Sequence, residues 1–165
     1  LRESLRVELK NIQTNLNATI LYVTHDQAEA TTLADKIGVL KEGHLVQIGT
    51  PEEIYENPNS IYVSQRLGSP KINILPGTLL GMNDVPTFGI RPENITIGNG
   101  DHSAKIISIE NLGSETVVAL NFKDQEILVS IQGNYKSSIN ETINFDINNK
   151  KVLKFDQEGN RIYER

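Results

Sequence analysis

Hydrophobic and polar positions follow two different periods along this chain. Near its beginning, apolar residues recur every three or four positions, at Leu1, Leu5, Leu9, Ile12 and Leu16. This spacing places them on one face of an amphipathic helix, and that face must pack against another element. In the last third of the chain the period shortens to two, which is typical of strands. The pattern therefore predicts an α/β part followed by a β-rich part.

An uninterrupted apolar run follows the first helix. Three of the four residues from Ile20 to Val23 are β-branched or aromatic, which predicts a strand over residues 19–24 buried on both faces, as in a parallel sheet. A helix over residues 27–34 and a strand over 36–40 are predicted next. Together these elements make only half of an α/β layer, so we expect the chain to be cut from a larger domain.

Cap and turn signals mark the change between the two parts. Thr50 and Glu53 predict a capping box that starts a short helix, and a further helical segment ends at Gly68. We therefore predict two domains, residues 1–67 and 68–165. The second contains five predicted strands and no long helix, which indicates a small barrel or sandwich, with strands over 105–109, 115–122, 126–131, 142–147 and 151–155.

The main candidate for chemistry is His25, which lies where the apolar run ends and the next helix begins. Asp26, followed three residues later by Glu29, predicts a capping box for that helix, so His25 belongs to the turn before it. Ligands bind at the carboxyl ends of strands in open α/β sheets, and helix starts favour anions, so this position suits contact with a phosphate. A histidine satisfied by a backbone carbonyl would have the same local pattern and stays an alternative.

Composition narrows the range of functions. The 165 residues carry a net charge of −5 with scattered Lys and Arg, which argues against nucleic acid as a partner. There is no cysteine, as expected of a protein from a reducing cytoplasm, and no apolar run approaches the length that spans a bilayer. His25, His44 and His102 are far apart in sequence, and we predict no metal site.

Residues 19–55 carry a series of motifs that resembles the end of an ABC-transporter ATPase domain. They read T-H-D-Q-A-E-A, then L-A-D-K-I-G-V-L, a glycine hairpin, and G-T-P-E-E-I-Y. In that family the histidine of T-H-D is the switch residue that hydrogen-bonds the γ-phosphate of ATP. The resemblance therefore implies that His25 is both a catalytic and a nucleotide-binding residue, while the capping geometry of Asp26 argues against its use as a base.

The second part resembles the C-terminal oligosaccharide-binding-type barrel, or TOBE domain, of sugar-type ABC importer ATPases. The matching motifs are G-S-P-K-I-N-I-L, G-I-R-P-E-N-I, L-G-S-E-T and F-D-Q-E-G-N-R-I. Two roles are open for Arg91 of G-I-R-P-E: it holds neighbouring carbonyls or it contacts a regulatory protein. Only twelve residues, Gly77 to Phe88, separate the first two motifs, which predicts a smaller barrel than is usual in the family and leaves its regulatory surfaces in question.

The resemblance implies an ATPase subunit that energises import, most readily of sugars, by using ATP and Mg²⁺. Its implied partners are a second ATPase subunit in a homodimer, two transmembrane permease subunits, an extracytoplasmic solute-binding protein and, in some members, a regulatory protein. Such a subunit is cytoplasmic and peripheral on the inner face of the cell membrane. The chain lacks the phosphate-binding loop, the L-S-G-G-Q signature and the strand ending in Asp-Glu, so we expect it to be inactive alone.

Three alternatives remain at this point. The chain could act as a dimerisation or regulator-binding module without catalytic activity, with the barrel as the working part. The parent could import a non-sugar solute such as glycerol phosphate or a polyamine. A molybdate- or oligonucleotide-binding barrel is disfavoured by the acidic charge balance and by the scarcity of aromatic residues for base stacking.

Overall fold

The computed structural model describes residues 2–163. It divides the chain into two compact units, which meet in sequence between Pro58 and Asn59. The α/β and β-rich fold class is confirmed: most helical residues belong to the first unit and most strand residues to the second. Every strand pair between residues 2 and 163 is antiparallel, so the parallel pairing predicted for the first unit is absent from this part of the chain.

Between residues 2 and 58, the first unit contains three helices and one hairpin. Its elements in chain order are α1 (Arg2–Leu16), α2 (Gln27–Leu33), β1 (Ile37–Lys41), β2 (His44–Gly49) and α3 (Pro51–Glu56). The capping box at Thr50 and Glu53 is confirmed, since each residue's side chain accepts a hydrogen bond from the other's backbone N–H. The apolar stripe of α1 is exposed at Leu5, Leu9, Ile12 and Leu16; Leu1 lies outside the described residues.

The strand predicted over residues 19–24 is wrong for this structure. No strand is present there, and the side chains of Leu21 and Val23 are 93% and 81% exposed. A strand is stabilised by hydrogen bonds to a neighbouring strand, and no strand within residues 2–163 pairs with this segment. The apolar composition is thus correctly recognised, but the pairing that would make it a strand is missing from the described residues.

The second unit contains two four-stranded antiparallel sheets, ordered β10-β9-β4-β3 and β7-β6-β5-β8. Its elements in chain order are α4 (Ile61–Ser64), β3 (Asn73–Pro76), β4 (Thr87–Ile90), β5 (Ile95–Asn111), β6 (Glu115–Phe122), β7 (Gln125–Gln132), β8 (Thr142–Ile147), β9 (Leu153–Phe155) and β10 (Arg161–Ile162). The sequence predicts the bounds of β6 and β8 correctly. It misses β3, β4, β10 and the first half of β5, where short runs are interrupted by glycine, proline and asparagine.

One hydrophobic core lies between the two sheets of the second unit. Phe88 and Ile90 of β4 face it from one sheet, and Phe122, Val129 and Phe145 face it from the other. The opposite side of the first sheet carries a smaller cluster of Ile72, Leu153 and Phe155, against which Ile61 of α4 packs. The short connection after β3 still allows β3 and β4 to pair over four residues.

Residues 59–67 belong with the second unit in this structure, nine residues before the boundary predicted from sequence. Ser60 forms a β-bridge with Asn160, and the Ile61 N–H donates to the Gly159 carbonyl over 2.8 Å. The Arg161 N–H donates to the Asn59 carbonyl, also over 2.8 Å. These long-range hydrogen bonds and the packing of Ile61 attach residues 59–67 to the β-rich unit. The sequence-based boundary lies later because the local pattern of these residues is helical, like that of the elements before them.

Candidate functional site

The loop before α2 presents His25 to solvent. His25 is exposed and directly precedes Asp26, the N-cap of α2. The Asp26 carboxylate accepts hydrogen bonds from the backbone N–H groups of Ala28, over 2.8 Å, and Glu29, over 3.1 Å. These bonds satisfy two of the N–H groups that a helix start leaves without intrahelical partners, so the backbone next to the imidazole has a defined conformation.

A second set of hydrogen bonds holds the residue on the other side of His25. The Thr24 hydroxyl accepts from the Asp26 N–H over 2.9 Å and donates to the Glu29 carboxylate over 2.6 Å. The capping box predicted for Asp26 and Glu29 is therefore correct in its N-cap residue, while the Glu29 side chain is engaged by Thr24. His25 thus lies between two residues whose side chains bond across the same turn.

Tyr22, which lies in the exposed apolar run Ile20–Val23, also bonds to Glu29. Its hydroxyl donates to the Glu29 carboxylate over 3.2 Å. This hydrogen bond raises the pKa of Tyr22 above 10.0, because ionisation would remove the donated proton and bring two negative groups together. The phenol therefore acts as a neutral donor at physiological pH.

Helix α1 supports the loop through two cationic side chains. The Arg6 guanidinium lies 3.6 Å from the Asp26 carboxylate. One turn along the helix, the Lys10 ammonium lies 2.9 Å from the Asp35 carboxylate and 3.4 Å from the Leu33 carbonyl oxygen. Both contacts join α1 to the two ends of α2. The contacts of Arg6 and Lys10 escaped the sequence analysis, and only the one-turn spacing of these two residues on α1 could have indicated them.

The arrangement around His25 offers hydrogen-bonding chemistry. Within the described residues, no group of three or more His, Asp or Glu side chains is placed to hold a metal ion. His44 belongs to β2 of the first unit, and His102 belongs to β5 of the second. An exposed imidazole can donate one hydrogen bond to an anionic oxygen, which is the interaction a phosphate group would use.

Arg91, the charged residue of the G-I-R-P-E motif, has a structural role within the second unit. It is only 4% exposed, and its Nη1 donates to the carbonyl oxygens of Leu67, over 2.6 Å, and Ser64, over 3.1 Å. Of the two roles considered for this residue, the structure supports the holding of neighbouring carbonyls. The preceding glycine of the motif, Gly89, leaves space for Phe155, since a Cβ there would come within 3.0 Å of that ring.

The comparisons with known proteins cover both parts of the chain. The TOBE domain family matches residues 88–150. The chain is 36% identical over 181 residues to the sn-glycerol-3-phosphate import ATP-binding protein of Brucella abortus, with 98% of the chain and 52% of that protein aligned. It is 37% identical over 150 residues to the xylose/arabinose import ATP-binding protein of Haloferax volcanii, with 75% and 39% aligned.

A third relative extends the similarity to another organism. The sn-glycerol-3-phosphate import ATP-binding protein of Psychromonas ingrahamii is 35% identical over 191 residues, which cover 99% of the chain and 51% of that protein. The chain thus spans about half the length of these glycerol-phosphate relatives. Within the described part of the chain, none of the helices combines the length and apolar content needed to cross a bilayer.

Proposed function

Since this chain belongs to the ATP-binding proteins of ABC importers and carries their TOBE domain, we propose that it supplies the phosphate-sensing loop and the regulatory barrel of an importer ATPase. His25 is the sensor. Its imidazole donates a hydrogen bond to an oxygen of the γ-phosphate of ATP, and the bond is lost when that phosphate leaves. A charge-assisted bond of this kind contributes about 1.5–3 kcal/mol, which is enough to bias a two-state conformational change.

The observation that carries this proposal is the placement of an exposed imidazole between two anchored residues. Thr24 and Asp26 are joined by a hydrogen bond across His25, and Asp26 is fixed in turn by α2. A sensor binds its ligand more favourably when its loop is already ordered, because no conformational entropy of that loop is then lost on binding. The cluster meets this requirement because the backbone is held while the ring stays open to solvent.

The exposed apolar surfaces of the first unit support assembly with further protein. Three such surfaces occur: the α1 stripe, the segment Ile20–Val23, and the hairpin side chains Leu40, Leu45 and Ile48. Extended exposed apolar surface usually marks a contact region. We infer that the remainder of an ATPase domain covers these surfaces, gives residues 20–23 a strand partner, and contributes the cradle for ATP and Mg²⁺.

Our proposal for the complete protein follows the relatives. The complete protein forms a homodimer of ATPase subunits at the cytoplasmic face of the membrane. It works with two permease subunits and an extracytoplasmic solute-binding protein, and it responds to a regulatory protein through its barrel. The relatives named for glycerol phosphate and for xylose or arabinose favour a sugar or a related polyol as the solute. ATPase activity belongs to that complete subunit, and we expect none from this chain alone.

The test is a histidine substitution in the complete subunit. We expect His25→Ala to lower the rate of ATP hydrolysis by roughly 10- to 150-fold, the equivalent of the lost phosphate bond, while a fluorescent ATP analogue still binds. His44→Ala is the matched control, since His44 is also exposed and belongs to strand β2 and not to the loop before α2. Unchanged turnover in His25→Ala would refute the sensor role, and an equal loss in both variants would indicate a general defect.

A second candidate function is a dimerisation or regulator-binding module. It is favoured by the second unit, which encloses its own core between two sheets. Light scattering on this chain in the absence of nucleotide separates the candidates. A dimer whose mass is unchanged by ATP favours the barrel as the contact, whereas a monomer argues against this module.

A further inference from the structure

An open depression of about 420 Å³, lined mostly by residues with polar side chains, lies at one end of the β-rich unit. It lies where β5 begins and β8 ends, next to the short 3-10 helix Asn149–Lys151. Its lining residues are Asn94, Thr96, Asp146, Ile147, Asn148, Asn149 and Lys150. This volume falls within the range of pockets that bind small molecules. The sequence analysis did not identify this site, because its residues come from two segments about fifty positions apart.

The pairing of β5 with β8 explains why polar groups line this cavity. Ile95 pairs with Ile147, and Thr96 pairs with Asp146. The two isoleucines are each 2% exposed and belong to the core, so the alternation of a strand turns the next pair, Thr96 and Asp146, to the outside. Directly opposite residues have Cβ atoms roughly 5 Å apart, so a hydroxyl and a carboxylate stand side by side on the cavity wall.

Backbone hydrogen bonds hold the other wall in place. The Asn148 N–H donates to the Asn94 carbonyl over 3.0 Å, which ties the end of β8 to the segment before β5. The Asn148 side-chain oxygen accepts from the Lys150 N–H over 3.2 Å, and the Lys151 N–H donates to the Asn148 carbonyl over 2.8 Å. The turn that carries Asn149 and Lys150 is therefore formed in advance of any ligand.

The lining side chains have unused hydrogen-bonding capacity. Those of Asn94, Thr96, Asp146, Asn149 and Lys150 make no hydrogen bond or ion pair with another residue in the described range 2–163. They include both donors and acceptors, and the one carboxylate and one ammonium give the lining no net charge. An anion would face Asp146, and a cation would face Lys150, so neither is favoured. Hydroxyl groups both donate and accept, and so match a mixed lining.

We infer that this cavity binds a small neutral polyhydroxyl compound of monosaccharide size, with Asp146 accepting from adjacent hydroxyls and Lys150 and the asparagine amides donating to them. The cavity belongs to the second unit, and the inference does not depend on the ATPase proposal. Three or four hydrogen bonds in an open cavity imply weak binding, with a Kd of about 1 mM.

The test uses the whole chain and two-dimensional amide NMR with D-glucose and D-xylose as probes. We expect saturable shifts of the Thr96 and Asp146–Lys150 amides. Asp146→Ala should weaken binding by about tenfold, and Asn149→Ala should weaken it by a smaller factor. Matched controls are Glu126→Ala and Lys105→Ala, which remove exposed charges of β7 and β5 outside the cavity and should leave binding unchanged.

Three outcomes would overturn the inference. The first is the absence of saturable shifts with either sugar up to about 50 mM, well above the expected Kd. The second is binding to both cavity variants as tight as to the unmodified chain, with folding verified by circular dichroism. The third is tighter binding of inorganic phosphate or glycine at the same amides, which would assign the cavity to an anion or a zwitterion.

Discussion

The side-chain amide of Asn73 pairs with the backbone of Leu128 as a second strand would. The Leu128 N–H donates to Asn73 Oδ1 over 2.7 Å, and Asn73 Nδ2 donates to the Leu128 carbonyl over 2.9 Å. Asn73 lies in β3 and Leu128 in β7, which belong to different sheets. One buried side chain therefore connects the two sheets around the common core, and Nδ2 also donates to the Ile90 carbonyl.

Asn73→Ala should destabilise the second unit by about 1–3 kcal/mol, because it leaves backbone groups of β7 and β4 without their partners in a buried setting. The measurement is the free energy of unfolding in urea. Asn144→Ala, an exposed position on β8, is the control and should change that free energy by less than about 0.5 kcal/mol. Equal changes in the free energy of unfolding for Asn73→Ala and Asn144→Ala would show that the hydrogen bonds of Asn73 between the sheets add nothing to stability.

Removing the Arg91 guanidinium should also destabilise the second unit. Arg91→Ala removes two hydrogen bonds from a charged donor to the Ser64 and Leu67 carbonyls, so we expect a loss of about 1.5–3 kcal/mol. The free energy of unfolding of Arg91→Lys should lie between those of the unmodified chain and Arg91→Ala. Lysine keeps the positive charge but lacks the planar guanidinium with its several N–H donors.

The control for Arg91 is Arg66→Ala. Arg66 is exposed and stacks over the Tyr62 ring at 4.0 Å, a contact whose loss should cost less than about 1 kcal/mol. Chemical denaturation of the three variants provides the comparison. A loss for Arg91→Ala no larger than that for Arg66→Ala would contradict the anchoring role derived from the structure.

The N-cap of α2 offers a test on this chain itself. Asp26→Ala should destabilise the first turn of α2 by about 1 kcal/mol and speed hydrogen exchange at the Ala28 and Glu29 amides, since both donate to the Asp26 carboxylate. Asp26→Asn should keep most of the protection of these amides from hydrogen exchange, because asparagine is also a good N-cap residue. This substitution removes only the charge that faces Arg6.

Thr32→Ala, an exposed substitution in the same helix, provides the control for exchange in α2. If Asp26→Asn exposes the two amides as much as Asp26→Ala does, the ion pair with Arg6, and not the cap, holds the loop.

Glu141 should make part of the stability depend on pH. The Ser137 hydroxyl and the Ser138 N–H donate to its carboxylate and hold its pKa below the ordinary 4.5. A carboxyl whose pKa is lower in the folded state stabilises that state above its unfolded pKa, and this contribution is lost as pH falls through the folded value. Glu141→Gln should therefore lower stability at pH 7 more than at pH 3, as measured by urea unfolding at both values.

Ser137→Ala removes the leading cause of this lowered pKa and should reduce the pH dependence in the same direction. A difference between Glu141→Gln and the unmodified chain that stays constant from pH 7 to pH 3 would rule out the linkage.

Features encoded by neighbouring residues were predictable from the sequence. The capping box at Thr50 and Glu53, the N-cap at Asp26, and the bounds of β6 and β8 all follow from local spacing, and all are present in the structure. The position of His25 before a helix was predictable for the same reason. Its role as a phosphate sensor rests on the family motif and stays a prediction.

Features that depend on distant partners were not predictable. Residues 59–61 form hydrogen bonds with residues about a hundred positions later, and Asn73 bonds to Leu128 fifty-five positions away. The run at 19–24 has the composition of a buried strand but no strand to pair with in the described residues.

The sequence by itself thus determined the helix starts, the tight turns, the alternating strands and the family motifs, because caps and periodicity act over a few residues. The tertiary structure alone decided where the second unit begins, how its sheets are connected and which polar residues meet at the cavity. Those outcomes depend on hydrogen bonds and packing between residues far apart in the chain, whose register no local pattern specifies.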